Sequence, residues 1–240
     1  FAFMIGLSET LAFIVTVIAM ISMGSLLHEW GWRGFINSAG IMGIGIAYVC
    51  WRNIPDSPEP VSQIPDYGRQ LYQILSNGKA WINGLFVGLS FSIVTVFGAL
   101  WAVPFLQVKL HCSLAIASSL GAMFFLGAAV SCPLFGHLSN LFNKRRPLIL
   151  ASSISTTLLL LILIYKPLQS LVDTGLLMFA TGCCCGAYML AFSIANELAP
   201  RESLSTCTGF TNTLAMITAP LLQSLIGFLL DLVNVQQGHY

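Results

Sequence analysis

Seven long apolar runs, at 1–27, 34–51, 80–106, 114–135, 147–165, 174–198 and 204–233, leave this chain few choices of fold. A helix needs roughly 20 mostly apolar residues to cross a hydrocarbon core of about 30 Å. Each run meets that length once its ends slide by about two to four residues. Transmembrane strands would be shorter and would alternate apolar with polar residues, which these runs do not. The expected fold is all-α: a polytopic bundle of seven transmembrane helices in a lipid bilayer. Composition points the same way, with 56% of residues hydrophobic and 8% charged, against about 25% charged in a soluble domain.

This composition excludes whole classes of function. A formal net charge of +1 over 240 residues, with no Lys/Arg-rich face to neutralise phosphates, leaves no basis for nucleic-acid binding. The cysteines Cys50, Cys112, Cys132, Cys183, Cys184, Cys185 and Cys207 lie mostly inside apolar runs. They read as small buried thiols, and neither a metal site nor a cofactor is expected. An intramembrane enzyme would need paired acids or a histidine cluster at membrane depth, whereas His28, His111, His137 and His239 fall at span ends or in loops.

Orientation follows from Lys and Arg, which cytoplasmic loops retain. One alternate set of loops holds the seven cations Arg52, Arg69, Lys79, Lys144, Arg145, Arg146 and Arg201; the other holds the three cations Arg33, Lys109 and Lys166. The richer set is expected in the cytoplasm, with the N-terminus inside and the C-terminus outside. The one long linker, with Pro55, Pro58, Pro60 and Pro65, divides the chain into two spans and five. Within it, between Arg52 and Lys79, Tyr67, Leu71, Tyr72, Ile74 and Leu75 share roughly one helical face. Residues 66–76 therefore read as a short amphipathic helix at the membrane interface. The chain opens at Phe1 inside an apolar run and has an odd number of spans, so it reads as a fragment of a longer protein.

Between the fourth and fifth runs lies Gly136-His137-Leu138-Ser139-Asn140-Leu141-Phe142-Asn143-Lys144-Arg145-Arg146-Pro147. It resembles the cytoplasmic loop signature G-x-L-a-D-r-x-G-r-r of the major facilitator superfamily, found between the second and third helices of each six-helix half. Gly136, Leu138, Ser139, Lys144 and Arg145 match in register; Asn140 stands for the signature Asp and Asn143 for its second Gly. Gly31-Trp32-Arg33-Gly34-Phe35 is similar to the join between helices five and six, and 97–106 to a helix-seven ending seen in bacterial branches. The resemblance implies helices five to eleven of an expected twelve. Residues 1–51 then close the N-terminal half, 52–79 form the central cytoplasmic loop, and 80–240 give five helices of the C-terminal half. It also implies a multi-pass protein of the bacterial inner membrane.

In that family substrate binds near the midplane between two halves that rock around it, so polar residues at membrane depth become candidates. Asn83, Ser90, Phe97 and Trp101 form one stripe; Thr181, Cys185, Tyr188, Phe192 and Asn196 a second; Thr208, Thr211, Asn212, Ala215 and Thr218 a third. The transport-pathway candidates are Asn83, Ser90, Trp101, Tyr188, Asn196, Thr211 and Asn212. Glu9, inside the first run, is the coupling candidate, because an ionisable group in the membrane is costly to keep there. The cytoplasmic gate motif comprises Gly136, Asn140, Lys144, Arg145, Arg146, Glu197 and Arg201, with a Glu197 to Arg145 latch if the helices pack as in the family. Pro104 is the expected hinge, and Pro133 and Pro220 are further sites for bends. Gly84/Gly88 and Gly182/Gly186 are GxxxG pairs that let helices approach closely.

These readings converge on a secondary active transporter that moves a small solute, a metabolite or organic anion, by alternating access with a proton or other ion as driver. A non-transporting piece of such a permease and a seven-helix receptor are the alternatives. A retinal receptor would require a Lys buried in the last span, which has none.

Overall fold

The computed structural model describes residues 2–54, 66–142, 144–168 and 170–236; the proline-rich stretch 55–65 lies outside them, as does the side chain of Arg201. Among the described residues seven helices are long and apolar enough to cross a membrane: Ala2–Ser22, Glu29–Asn53, Gly78–Leu110, Leu114–Phe142, Arg146–Tyr165, Leu171–Leu198 and Leu204–Leu232. No strand occurs among them.

Helix α1 (Ala2–Asn53) carries the first two spans. The loop expected at 31–35 is a break at one residue, Gly31, whose φ of 65° and ψ of 168° lie where essentially only glycine goes. None of residues 29–53 is buried. After α2 (Tyr67–Leu75), which starts at an Asp66 cap, the third span runs through α3 (Gly78–Ser92), a π-helical stretch Ile93–Trp101 and α4 (Ala102–Leu110). Then come α5 (Leu114–Phe142), α6 (Arg146–Tyr165), and α7 (Leu171–Cys185) joined to α8 (Leu190–Leu198) by a 3₁₀ turn at Gly186–Met189. The chain continues into α9 (Leu204–Gln236).

One expectation needs correction here. Residues 136–142 are not a loop but the last two turns of α5, because nothing in Gly136 to Phe142 breaks a helix once Ser139 and Gly136 are buried against neighbours. The irregularity in the third span is the π stretch immediately before Pro104; the helix runs on without a break, so Pro104 withholds an N–H from it and its ring crowds the carbonyl of Leu100 within that stretch.

Helices in lipid gain nothing from hiding apolar surface from water, so they associate by close packing and hydrogen bonds. Glycines at the crossings provide the closeness. A Cβ on Gly6 would lie 2.7 Å from the Cys132 carbonyl oxygen, and one on Gly136 2.9 Å from that of Ala2. With Thr10 Oγ1 donating to the Ala129 carbonyl at 2.7 Å and Phe13 stacked on Phe125 at 5.9 Å, the first span runs antiparallel along α5. Gly127 and Gly182 bring α5 and α7 into backbone contact: a Cβ on Gly127 would overlap the Phe179 carbonyl, and one on Gly182 the Phe124 carbonyl. The neighbours of Gly175 and Gly186, which are Leu120 and Ser131, make that pair parallel.

Gly84 lies against Leu214, and Gly88 against Leu214 and Thr218; Gln223 Nε2 donates to the Thr95 carbonyl at 3.1 Å. So α3 and α9 are parallel too. Asn83 Nδ2 donates to the Ala191 carbonyl at 2.9 Å, and Phe91 packs on Tyr188 at 5.0 Å, which sets the third span antiparallel to α7–α8. These directions fit a chain that crosses the bilayer alternately. They gather Lys79, Arg145 and Glu197 at one end of the bundle. Lys109 stands at the other, where its Nζ donates to the carbonyls of Leu163 and Ile164 at 2.6 and 2.5 Å and so caps the negative end of α6.

Gly182→Val is expected to destabilise the bundle by about 1–3 kcal/mol or more, since the backbone it strikes has no rotamer to yield. Gly227→Val, with nothing within 4 Å of its Cβ position, should leave thermal unfolding of detergent-purified protein almost unmoved.

Candidate functional site

Glu9 projects from the first span seven residues after its start at Ala2, about 10 Å along the axis at 1.5 Å per residue. Of the acidic groups in the described spans it lies deepest, since Glu29, Asp173, Glu197 and Asp231 fall within two residues of span ends. The antiparallel run of this span along α5 turns Glu9 toward the 3₁₀ turn, and there the Tyr188 hydroxyl donates to Glu9 Oε2 at 2.8 Å. Tyr188 is 2% exposed, wedged against Phe91. The 3₁₀ turn is what aims it: the tightened backbone of Gly186–Met189 turns its residues out of step with α7. The coupling candidate and one pathway candidate thus form a single unit, about 180 residues apart in sequence (|i−j| of 179).

At the cationic end, Arg145 Nη1 meets Glu197 Oε1 at 2.5 Å, with the side chains 23% and 62% exposed. Arg145 Nε also donates to Ser139 Oγ at 3.2 Å. Around this pair lies a cavity of about 600 Å³ lined by Lys79, Asn140, Lys144, Arg146 and Pro147 among others. Gly136 takes no part in it. Its place is the crossing with α1, against the backbone of Ala2 and Phe3.

The remaining pathway candidates do not converge. Asn83 is buried and bonded to Ala191, and Asn196 Oδ1 accepts from Thr208 Oγ1 at 2.9 Å; both amides hold helices together. On α9, Thr211 and Ala215 are buried while Asn212 is exposed, since neighbouring residues on a helix point about 100° apart. The third stripe is therefore buried along one edge and open at Asn212 on the other. Trp101 lines an apolar chamber of about 880 Å³ between the third span, Ile164 and the end of α9. Ser90 lines a different, smaller cleft with Tyr188. The π stretch separates the two, and sequence reasoning missed it; the only local sign was a run of apolar residues ahead of Pro104. No group of three or more His, Cys, Asp or Glu suited to a metal exists among the described residues.

Compared with known protein families, residues 1–222 match the model of the Major Facilitator Superfamily. The chain belongs to the Major Facilitator Superfamily. As a member of that superfamily it is a membrane transporter by class, and the seven spans are part of a polytopic helical bundle. No curated protein and no solved structure matches it.

In a double-mutant cycle on thermal unfolding, Arg145→Ala and Glu197→Ala should couple by about 0.5 kcal/mol, as for a pair with one well-exposed partner. Ser139→Ala should lower that coupling, because Ser139 fixes the guanidinium.

Proposed function

We propose that the chain works in a secondary active transporter in which Glu9 carries the coupling proton and the Arg145–Glu197 pair latches one end of the transport path. The observation that carries this reading is the hydrogen bond between Glu9 and Tyr188 inside the membrane. A carboxylate at that depth persists where it is bonded and used, and among the described residues its bonded partner is a neutral phenol rather than a cation. Such a group can take up and release a proton without breaking an ion pair.

The seven-cation end is the cytoplasmic one in this reading, by the bias of Lys and Arg. There the α5–α6 turn and the end of α8 are tied by Arg145 and Glu197, which favours the arrangement closed at that end; a change that weakens the tie shifts the population toward the open one. The solute is a small metabolite or organic anion, the membrane the bacterial inner membrane, and alternating access the mechanism.

The test is uptake into proteoliposomes from a panel of radiolabelled organic anions and sugar phosphates, with and without an imposed pH gradient. Glu9→Gln should abolish accumulation driven by the gradient and preserve solute exchange at equal concentrations. Exchange and accumulation that both survive would remove Glu9 from the coupling. Glu197→Gln should raise labelling of a cysteine placed at Asn140 by a membrane-impermeant thiol reagent applied from the cytoplasmic side by about two- to fivefold, the change expected for a bias near 0.5–1 kcal/mol.

A further inference from the structure

Between α3 and α6, over the 3₁₀ turn, lies a cleft of about 190 Å³. One wall is apolar, from Phe86, Leu89 and Ile93; the other is built of hydroxyls, from Ser152, Ser153, Thr156 and Thr157, with Ser90 and Tyr188 beside them. Thr156 is 1% exposed, and its Oγ1 has no hydrogen-bond partner among the described residues. A buried hydroxyl left unpaired costs about 1–3 kcal/mol; Ser193 and Thr211 are left so too among the described residues, but Thr156 lines a cleft that can supply a partner. The neighbouring hydroxyls have spent their own protons elsewhere, Ser152 Oγ on the Cys184 carbonyl and Thr157 Oγ1 on that of Ser153 at 2.8 Å, so neither donates to Thr156.

No Lys, Arg, Asp or Glu lines the cleft, so nothing there holds a charged molecule at rest, and a charge crosses it only in passing. At about 30 Å³ per molecule the space takes roughly six waters. All three helices bring these groups to mid-depth: Ser90 lies 12 residues after Gly78, Thr156 10 after Arg146, and Tyr188 10 before Leu198, or about 15–18 Å from the cationic end.

We propose that this cleft holds a chain of water ending on Tyr188, and that Tyr188 passes protons between that water and Glu9. The proposal rests on the coupling role given to Glu9 above. Tyr188 both lines the cleft and donates to Glu9 Oε2. A hydronium at the end of the chain gives a proton to the phenol oxygen as the phenol proton crosses to the carboxylate. The tyrosine is left neutral, the carboxylate becomes a carboxylic acid, and one positive charge leaves the water. Release runs the same steps backward.

Glu9 is itself half-buried, so part of its carboxylate stays open beside the contact with Tyr188. The titratable groups facing Glu9 are Tyr188 and, from α5, Cys132. From α8 comes Glu197, engaged with Arg145 at the cationic end.

The experiment is infrared difference spectroscopy on the full chain in lipid nanodiscs after a rapid acid step, which reads the carboxylic C=O stretch and needs no solute. The wild-type band should vanish in Glu9→Gln. In Tyr188→Phe the band should shift, through the lost hydrogen bond, and rise roughly a hundredfold more slowly, the lower end of the range for loss of a positioned proton carrier. Thr156→Val should slow the rise without moving the band, and Thr156→Ser should restore the rate. If the band rises at the wild-type rate in both Tyr188→Phe and Thr156→Val, the relay is overturned while the coupling role of Glu9 stands. A wild-type protein with no such band overturns both.

Discussion

Everything in this bundle hangs on how closely α5 approaches its two neighbours. In a bilayer, separated helices lose no water by meeting, so association depends on contact at backbone distance. Gly6 and Gly136 permit it against the first span, Gly127 and Gly182 against α7. Cys132 stands where the two crossings meet, its backbone under Gly6 and its Sγ near the Gly186 carbonyl at 3.8 Å. Glu9 and Tyr188 are thus held by one rigid rod, from opposite sides, at hydrogen-bonding distance. A side chain at any of these glycines would part the helices by more than that bond can span.

Much of the architecture was legible because a bilayer simplifies the reading. Length and apolarity alone placed the seven spans, and the distribution of Lys and Arg agreed with the helix directions later read from contacts. The short helix at Tyr67–Leu75 was legible from its face. What the sequence pattern could not supply was the state of the backbone. The loop at Gly136–Phe142 was read as a loop because its residues are polar enough for one; tertiary packing of Gly136 and Ser139 kept it helical. The joint at Gly31 was narrower than the motif around it suggested.

The polar residues show the same limit more sharply. Asn83, Asn196, Ser90 and Tyr188 look alike in sequence, each a hydrogen-bonding group at membrane depth. Two of them turn out to be spent on neighbouring helices, Asn83 on a carbonyl and Asn196 on a hydroxyl, while Tyr188 is given to a carboxylate. Spacing along one helix cannot tell these fates apart, because the partner lies on another. The Glu197 to Arg145 contact was foreseen only through the resemblance to a family, which supplies the missing partner by analogy.

The π-helical stretch at Ile93–Trp101 has a further bearing. A helix wound with i→i+5 bonds turns more slowly than its α-helical flanks, so the third span changes phase midway through the membrane. Asn83 and Ser90 read one compass bearing, Trp101 and Lys109 another. The span presents one set of neighbours to one leaflet and a different set to the other, and a single rod is made to serve as two.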